Sequence, residues 1–176
     1  NVGINKMSGV IRRTRNALTF DNVAITTEES ALRVNGTVTN IEGQKAVVDL
    51  KASSDKLALN ELARLFPRLR GYNVQPAFDI VAKGPADQMS VNLSMRDARL
   101  GDIKADMTVD AVAPVLTTRG TARVDRLDIR TLVPNGSPQL ASNISGDARF
   151  DLTLPENSRP IRGSYAVDVD RVRFAG

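Results

Sequence analysis

The apolar residues of this chain recur at alternate positions in segment after segment, with polar residues between them. In the segment 46–53, Val48 and Leu50 share one phase, whereas Asp49 and Lys51 occupy the other. A pleated strand sends successive side chains to opposite faces, so each such segment has one apolar and one polar face. The fold must therefore place these apolar faces against a second protein layer or against an apolar ligand.

The residues that carry this alternation are flanked by Asp, Lys, Arg, Asn, Ser or Thr. They are Val34, Val38, Val48, Leu50, Phe78, Ile80, Val91, Leu93, Ile103, Met107, Val109, Leu116, Val124, Phe150, Leu152, Val167 and Val169. We predict that all of them line one apolar face.

The alternation predicts strands over residues 17–20, 23–27, 32–39, 46–53, 74–82, 89–95, 103–109 and 116–124, with more strand pattern after residue 140. Val172 and Phe174 continue the last pattern one step out of phase. Turns are predicted at 21–22, 42–44, 83–85 and 100–102. Such short connections make consecutive strands antiparallel neighbours. The predicted fold class is mainly β, an antiparallel meander curled around its apolar face into an open groove.

Two short helices interrupt the strands. Leu59, Leu62, Ala63 and Phe66 recur at helical spacing, which predicts a helix over 59–66 with Asn60 as its N-cap. A second helix is predicted over 127–133. A proline follows each segment.

An internal repeat relates these two segments. The eight residues from Asp55 to Leu62 are matched by the eight from Asp125 to Leu132, 70 positions later, and both follow a strand pattern. We therefore divide the chain into a unit over 1–70, a unit over 71–140 and a partial unit over 141–176 within one continuous groove. Each unit of such an array covers the apolar face of its neighbours.

Composition argues against catalysis. The chain has no cysteine and no histidine, which removes the usual general base, thiolate nucleophile and commonest metal ligand. The carboxylates, Asp106 and Asp110 among them, fall on the polar phase, and no phosphate-binding glycine motif is present. We expect no catalytic residue, no metal site and no cofactor.

Nucleic acid is also an unfavourable partner. The net charge of +4 comes from 24 basic and 20 acidic residues that are interspersed, and only five Phe and two Tyr are available for stacking. No stretch approaches the roughly 18 consecutive apolar residues of a membrane-spanning helix. Because the chain starts at Asn1 and stops directly after a strand pattern, we expect it to be a piece of a longer array.

The residue pattern of several segments resembles that of the TamB and AsmA-like family. It is carried by 18–25 (LTFDNVAI), 30–38 (SALRVNGTV), the short DKLALNEL helix after a strand with its counterpart at Asp125, and 144–148 (ISGDA). The similarity extends over essentially the whole chain, although no single motif is diagnostic.

This resemblance implies a repeating β-groove in a bacterial envelope protein, anchored in the inner membrane and crossing the periplasm. It implies that the groove conducts phospholipid acyl chains between inner and outer membranes in support of outer-membrane biogenesis. An outer-membrane protein of the Omp85 type is the implied partner, through regions outside this chain.

Two alternatives remain open on the residues alone. A β-rich scaffold could chaperone outer-membrane proteins by pairing their strands with its sheet edges. A β-sandwich without ligand would bury the same apolar face under a second sheet.

Overall fold

The ten strands of the protein form one open antiparallel sheet in which each strand pairs with its neighbours in sequence. The computed structural model describes residues 4–43, 45–63, 69–112, 115–133, 138–154 and 162–174. The first and last strands do not pair with each other, so the sheet is not a closed barrel. All described strands belong to this sheet, which confirms the predicted mainly β antiparallel meander.

The strands have 8 to 13 residues, and four of the connections between them have only three or four residues. The strands are β1 Lys6–Arg13, β2 Ala17–Thr26, β3 Ala31–Thr39, β4 Val47–Lys56, β5 Ala77–Pro85, β6 Met89–Asp97, β7 Gly101–Asp110, β8 Leu116–Leu127, β9 Ser142–Leu154 and β10 Arg162–Phe174.

Bulges keep the apolar side chains on one face where the sequence alternation slips. In β2, the register shifts between Phe20 and Val23, and Asn22 has a φ of 48°. In β10, a shift between Val169 and Arg171 returns Val172 to the apolar face. An extra residue in one strand restores the alternation that an odd step would otherwise reverse. The predicted turn at 21–22 is therefore a bulge within one continuous strand.

The helices are shorter than the sequence pattern predicts. The α-helix α1 covers only Leu59–Leu62, and its N-cap is Ala58 rather than Asn60. The predicted end of this helix, at 64–66, lies outside the described residues. In place of the second predicted helix there is one 3₁₀ turn at Ile129–Leu132, with another at Pro138–Leu140. Hydrogen bonds to the adjacent loops hold these segments in place, so their conformation does not depend on apolar residues at α-helical spacing.

The strands also differ from the predictions in three places. β1 was not predicted at all: its sequence contains Gly9 and three cationic residues, and every residue in it is exposed. The predicted turn at 83–85 belongs to β5, where Gly84 pairs with Val48, and the chain turns at 86–88 instead. The predicted turn at 100–102 begins earlier, at 98–100.

Alternate connections lie at the same end of the strands, which gives the sheet two different rims. We call the rim formed by 27–30, 57–63, 69–76, 98–100, 128–133 and 138–141 the capped rim. There, Ala58 N donates to Ser30 Oγ at 3.0 Å and Asp128 N donates to Leu100 O at 3.1 Å. Ala58 is fully buried, and Val74, Pro76 and Leu100 are nearly so. Much of the fully buried apolar volume of the described residues therefore lies along this rim.

Positions 70 apart in sequence occupy corresponding places at the capped rim. Ser30 and Leu100 precede β3 and β7, and Ala58 and Asp128 follow β4 and β8. In each case the later loop donates a backbone N–H to the earlier one: Ala58 N to Ser30 Oγ, and Asp128 N to Leu100 O. The sheet thus repeats its local contacts every four strands, whereas the division of the chain into units stays a prediction.

Glycines on the apolar face allow neighbouring strands to approach unusually closely. A Cβ on Gly36 would fall on the carbonyl oxygen of Asp49 and lie 2.9 Å from Leu50 Cα. One on Gly120 would fall on Asp106 O and lie 2.7 Å from Met107 Cα. Only a residue without a side chain fits there, and such sites are where sheets bend sharply.

Alanine at these positions should destabilise the fold for separable reasons. Gly36→Ala adds both a steric clash with the neighbouring strand and a strained φ of 129°. Gly120→Ala adds only such a clash. Gly84→Ala adds a strained φ of 111°, with no contact nearer than 3.4 Å. We expect Gly36→Ala to lower the free energy of unfolding most, with strain alone costing about 1–3 kcal/mol. Urea denaturation checks this order, and a Gly36→Ala variant no less stable than Gly84→Ala would contradict the close approach.

Both sheet edges should make the isolated chain self-associate. All thirteen residues of β10 are exposed, with Tyr165 at 78% and Phe174 at 62%. An unpaired edge beside exposed apolar side chains is a template for another strand. We expect the sedimentation coefficient to rise with concentration in plain buffer and to fall when detergent is added. A clean monomer in both conditions would mean that the edges and the apolar face do not recruit partners.

Candidate functional site

The apolar face of the sheet is the largest continuous feature that the structure presents. The strand register places all seventeen predicted residues on this one face: Val34, for instance, pairs with Ala52, which pairs with Ile80, which pairs with Leu93. Because partners across an antiparallel pair point to the same side, the alternation of each strand is continued by the next.

Cross-strand rows of apolar residues run the whole length of the sheet. One row is Val23, Val34, Ala52, Ile80, Leu93, Ala105, Ala122, Ala148 and Val167. Another is Phe20, Gly36, Leu50, Ala82, Val91, Met107, Gly120, Phe150 and Tyr165. With nine strands in each row and about 4.8 Å between neighbours, each row is about 38 Å long.

Charged residues are confined to the ends of strands on this face. Arg13 and Asp97 share its phase, and each is the last residue of its strand, at a rim. In the described strand interiors, the face carries aliphatic, aromatic, glycine, Ser and Thr residues. An apolar molecule lying along the rows would therefore meet no ion within the sheet.

The apolar side chains are mostly half-buried. Val23, Ala105 and Val109 are below 9% exposed, but most of the others between β2 and β9 lie in the intermediate range. A face packed under a second sheet would instead be fully buried. In the part of the chain that the structure describes, no second layer covers this face, and the sandwich arrangement is not formed there.

The polar face is built from exposed cross-strand ion pairs. Lys83 Nζ lies 3.6 Å from Asp49, and Arg123 lies 2.7 Å from Asp147 and 3.3 Å from Asp170. Exposed pairs of this kind are worth at most about 1 kcal/mol each. Their main effect is to keep the outer side of the sheet hydrated and so to fix which face is apolar.

One carboxylate of the polar face, Asp125, has a perturbed pKa. The pKa of Asp125 is lowered, chiefly because its carboxylate accepts a hydrogen bond of 2.7 Å from Ser145 Oγ. A general acid at neutral pH needs the opposite shift. Among the described residues, no group of three acidic residues is placed to hold a metal ion.

One buried hydroxyl interrupts the apolar face. Thr118 is 8% exposed, pairs with Val109 and Leu152, and its Oγ1 has no hydrogen-bond partner among the described residues. An unpaired buried polar atom costs about 1–3 kcal/mol. The sequence alternation includes this position without marking it as different from its neighbours.

Replacing this hydroxyl by a methyl group should therefore stabilise the protein. We expect Thr118→Val to raise the free energy of unfolding by about 1 kcal/mol, because shape is kept and the unpaired atom is removed. The matched control is Thr117→Val on the opposite phase, which should change little. Thermal unfolding of both variants checks this; a destabilised Thr118→Val would show that the hydroxyl has a partner.

Comparison with protein-family models, with curated proteins and with solved structures found no match for this chain. None of the described helices is long and apolar enough to cross a membrane.

Proposed function

We propose that the apolar face conducts lipid acyl chains along the cross-strand rows, as a segment of a phospholipid-transfer protein. The observation that carries this proposal is the single apolar face that ten strands share, half-exposed and without a charge in the described strand interiors. Curling of the sheet at its apolar-face glycines would turn this face into the floor of an open groove.

The energetics favour sliding over fixed binding. Burial of apolar surface contributes about 25 cal/mol per Å², or about 0.8 kcal/mol per methylene. Because the rows repeat similar side chains at each strand, neighbouring positions along a row differ little in free energy. An acyl chain bound there is held by its total buried area and moves without a large barrier.

The wider setting follows from the resemblance to the TamB and AsmA-like family. It supports a place in the periplasm, within a chain anchored in the inner membrane, and a role in outer-membrane biogenesis with a partner of the Omp85 type. One continuous antiparallel sheet is the arrangement from which a repeating β-groove is built, and this supports the proposal.

A charge on the apolar face should block transport more than it disturbs folding. Phe78→Arg, Val91→Glu and Met107→Glu each place an ion in the rows, where removing it from water costs several kcal/mol. Thr108→Glu is the matched control, because Thr108 neighbours Met107 on the opposite phase. We expect transfer of a fluorescent phospholipid between vesicles to fall at least tenfold in the first three variants.

Folding must be measured on the same preparations. Circular dichroism and urea denaturation should show folded protein for all four variants, because the apolar face is not a closed core. Equal transfer by Met107→Glu and Thr108→Glu would refute the proposal. Native mass spectrometry of the unmodified chain should show phospholipid that co-purifies with it.

The exposed edges favour a second candidate, a scaffold that pairs unfolded outer-membrane strands. Every residue of β10 is exposed, so its free backbone groups are open to strand addition. If peptide strands bind to β10 and no lipid co-purifies, the scaffold function replaces lipid conduction.

A further inference from the structure

A cleft at the capped rim joins three successive loops. It has a volume of about 450 Å³ and lies between the segment before β5, the turn between β6 and β7, and the 3₁₀ turn after β8. Its lining side chains include Asn73, Val74, Arg99, Arg130, Thr131 and Val133.

Two carboxylates fix the loops that present the arginines. Asp97 accepts backbone N–H groups from Arg99 at 2.7 Å, Leu100 at 3.0 Å and Gln75 at 2.9 Å. These three bonds tie the turn to the preceding loop. Because its oxygens are used by the backbone, Asp97 forms no ion pair with Arg99 within 4.0 Å. The turn thus holds its cation in place without neutralising it.

Asp128 organises the other side of the cleft, and it also forms an ion pair with Arg130. It is 8% exposed and accepts the backbone N–H groups of Arg130 at 3.0 Å and Ser142 at 3.2 Å. Its second oxygen is 2.8 Å from Arg130 Nη2. This leaves the remaining guanidinium donors of Arg130 available beside the cleft.

The guanidinium of Arg99 forms no ion pair with a described residue. Its only hydrogen bond within the described residues is a long one of 3.3 Å to Asn73 O. Arg99 also borders two neighbouring clefts that contain carboxylates, Asp97 and Asp102 among them. Among the described residues that line the cleft at the capped rim, two are arginines and none is a carboxylate.

We propose that this cleft binds a phosphate group of a phosphomonoester or phosphodiester. Guanidinium groups donate paired N–H bonds that match phosphate oxygens, and they remain charged at every relevant pH. Val74 and Val133 add an apolar wall that suits the organic part of an ester. Taking a lipid headgroup as the source of this phosphate rests on the proposed function, since the apolar face would then hold the acyl chains.

The test compares three probes by calorimetry at physiological salt. Inorganic phosphate and dihexanoyl phosphatidylglycerol below its micelle concentration carry the proposed group, whereas octyl glucoside carries none. We expect the two phosphate probes to bind and Arg99→Gln to weaken both at least tenfold. Arg119→Gln, which removes the same charge elsewhere, should leave both unchanged, and Arg99→Lys should keep part of the affinity.

Each outcome decides between the sources. Tighter binding of the phospholipid than of inorganic phosphate, with both weakened by Arg99→Gln, supports a lipid headgroup; equal binding supports a free phosphate. Equal effects of Arg99→Gln and Arg119→Gln, or no binding of either phosphate probe, would overturn the site.

Failure of the proposed function has a different signature. If Met107→Glu leaves binding of octyl glucoside unchanged while Arg99→Gln still abolishes phosphate binding, the apolar face is not an acyl-chain path and the phosphate cleft remains. If Met107→Glu weakens octyl glucoside binding and phosphate never binds, the apolar face is supported and the cleft is not a site.

Discussion

The constraint on which the structure depends is phase: ten consecutive strands must all direct their apolar residues to the same side. A slip of one residue in any strand would move its apolar residues to the hydrated face. The register prevents this by placing an extra residue wherever the alternation slips, as between Phe20 and Val23 and between Val169 and Arg171. Where the alternation of apolar and polar residues is broken, the bulges therefore keep the apolar residues on the face that every strand shares.

The two rims differ in how much they contribute to packing. At the capped rim, side-chain and backbone hydrogen bonds connect each loop with the next, and Ala58, Val74 and Leu100 are buried there. At the opposite rim, the turns 14–16 and 86–88 are tight and contain no buried residue. Since the apolar face itself is only half-buried, the capped rim supplies a large part of the packing that a compact core would provide elsewhere.

Much of the fold follows from the alternation, because a period of two residues specifies both strand and face. The shared face of the seventeen residues needed no further information. The failures have local causes: Asn22 adopts a left-handed conformation within a strand, and Gly84 pairs with Val48 instead of turning. The exposed, glycine-containing β1 has too few apolar residues to be found by pattern, and it is held by pairing with β2.

The phosphate cleft could not be predicted from the sequence. Its residues come from three loops, at Asn73, Arg99 and Arg130, which only the tertiary structure brings together. The local signal was present but not specific: Asp97 and Asp128 each precede backbone groups that a side-chain carboxylate can bind, as in many turns. Nothing in a single turn indicates that the arginine after it lies beside another.

The four-strand period at the capped rim has a consequence for length. Seventy residues arranged as four strands advance the sheet by only about 19 Å, whereas a helix of the same number of residues would reach about 105 Å. A protein that only had to bridge a distance would be built more simply as a rod. This chain gives most of its residues to the breadth of the sheet, so each added strand lengthens one continuous surface, and the number of strands sets its reach.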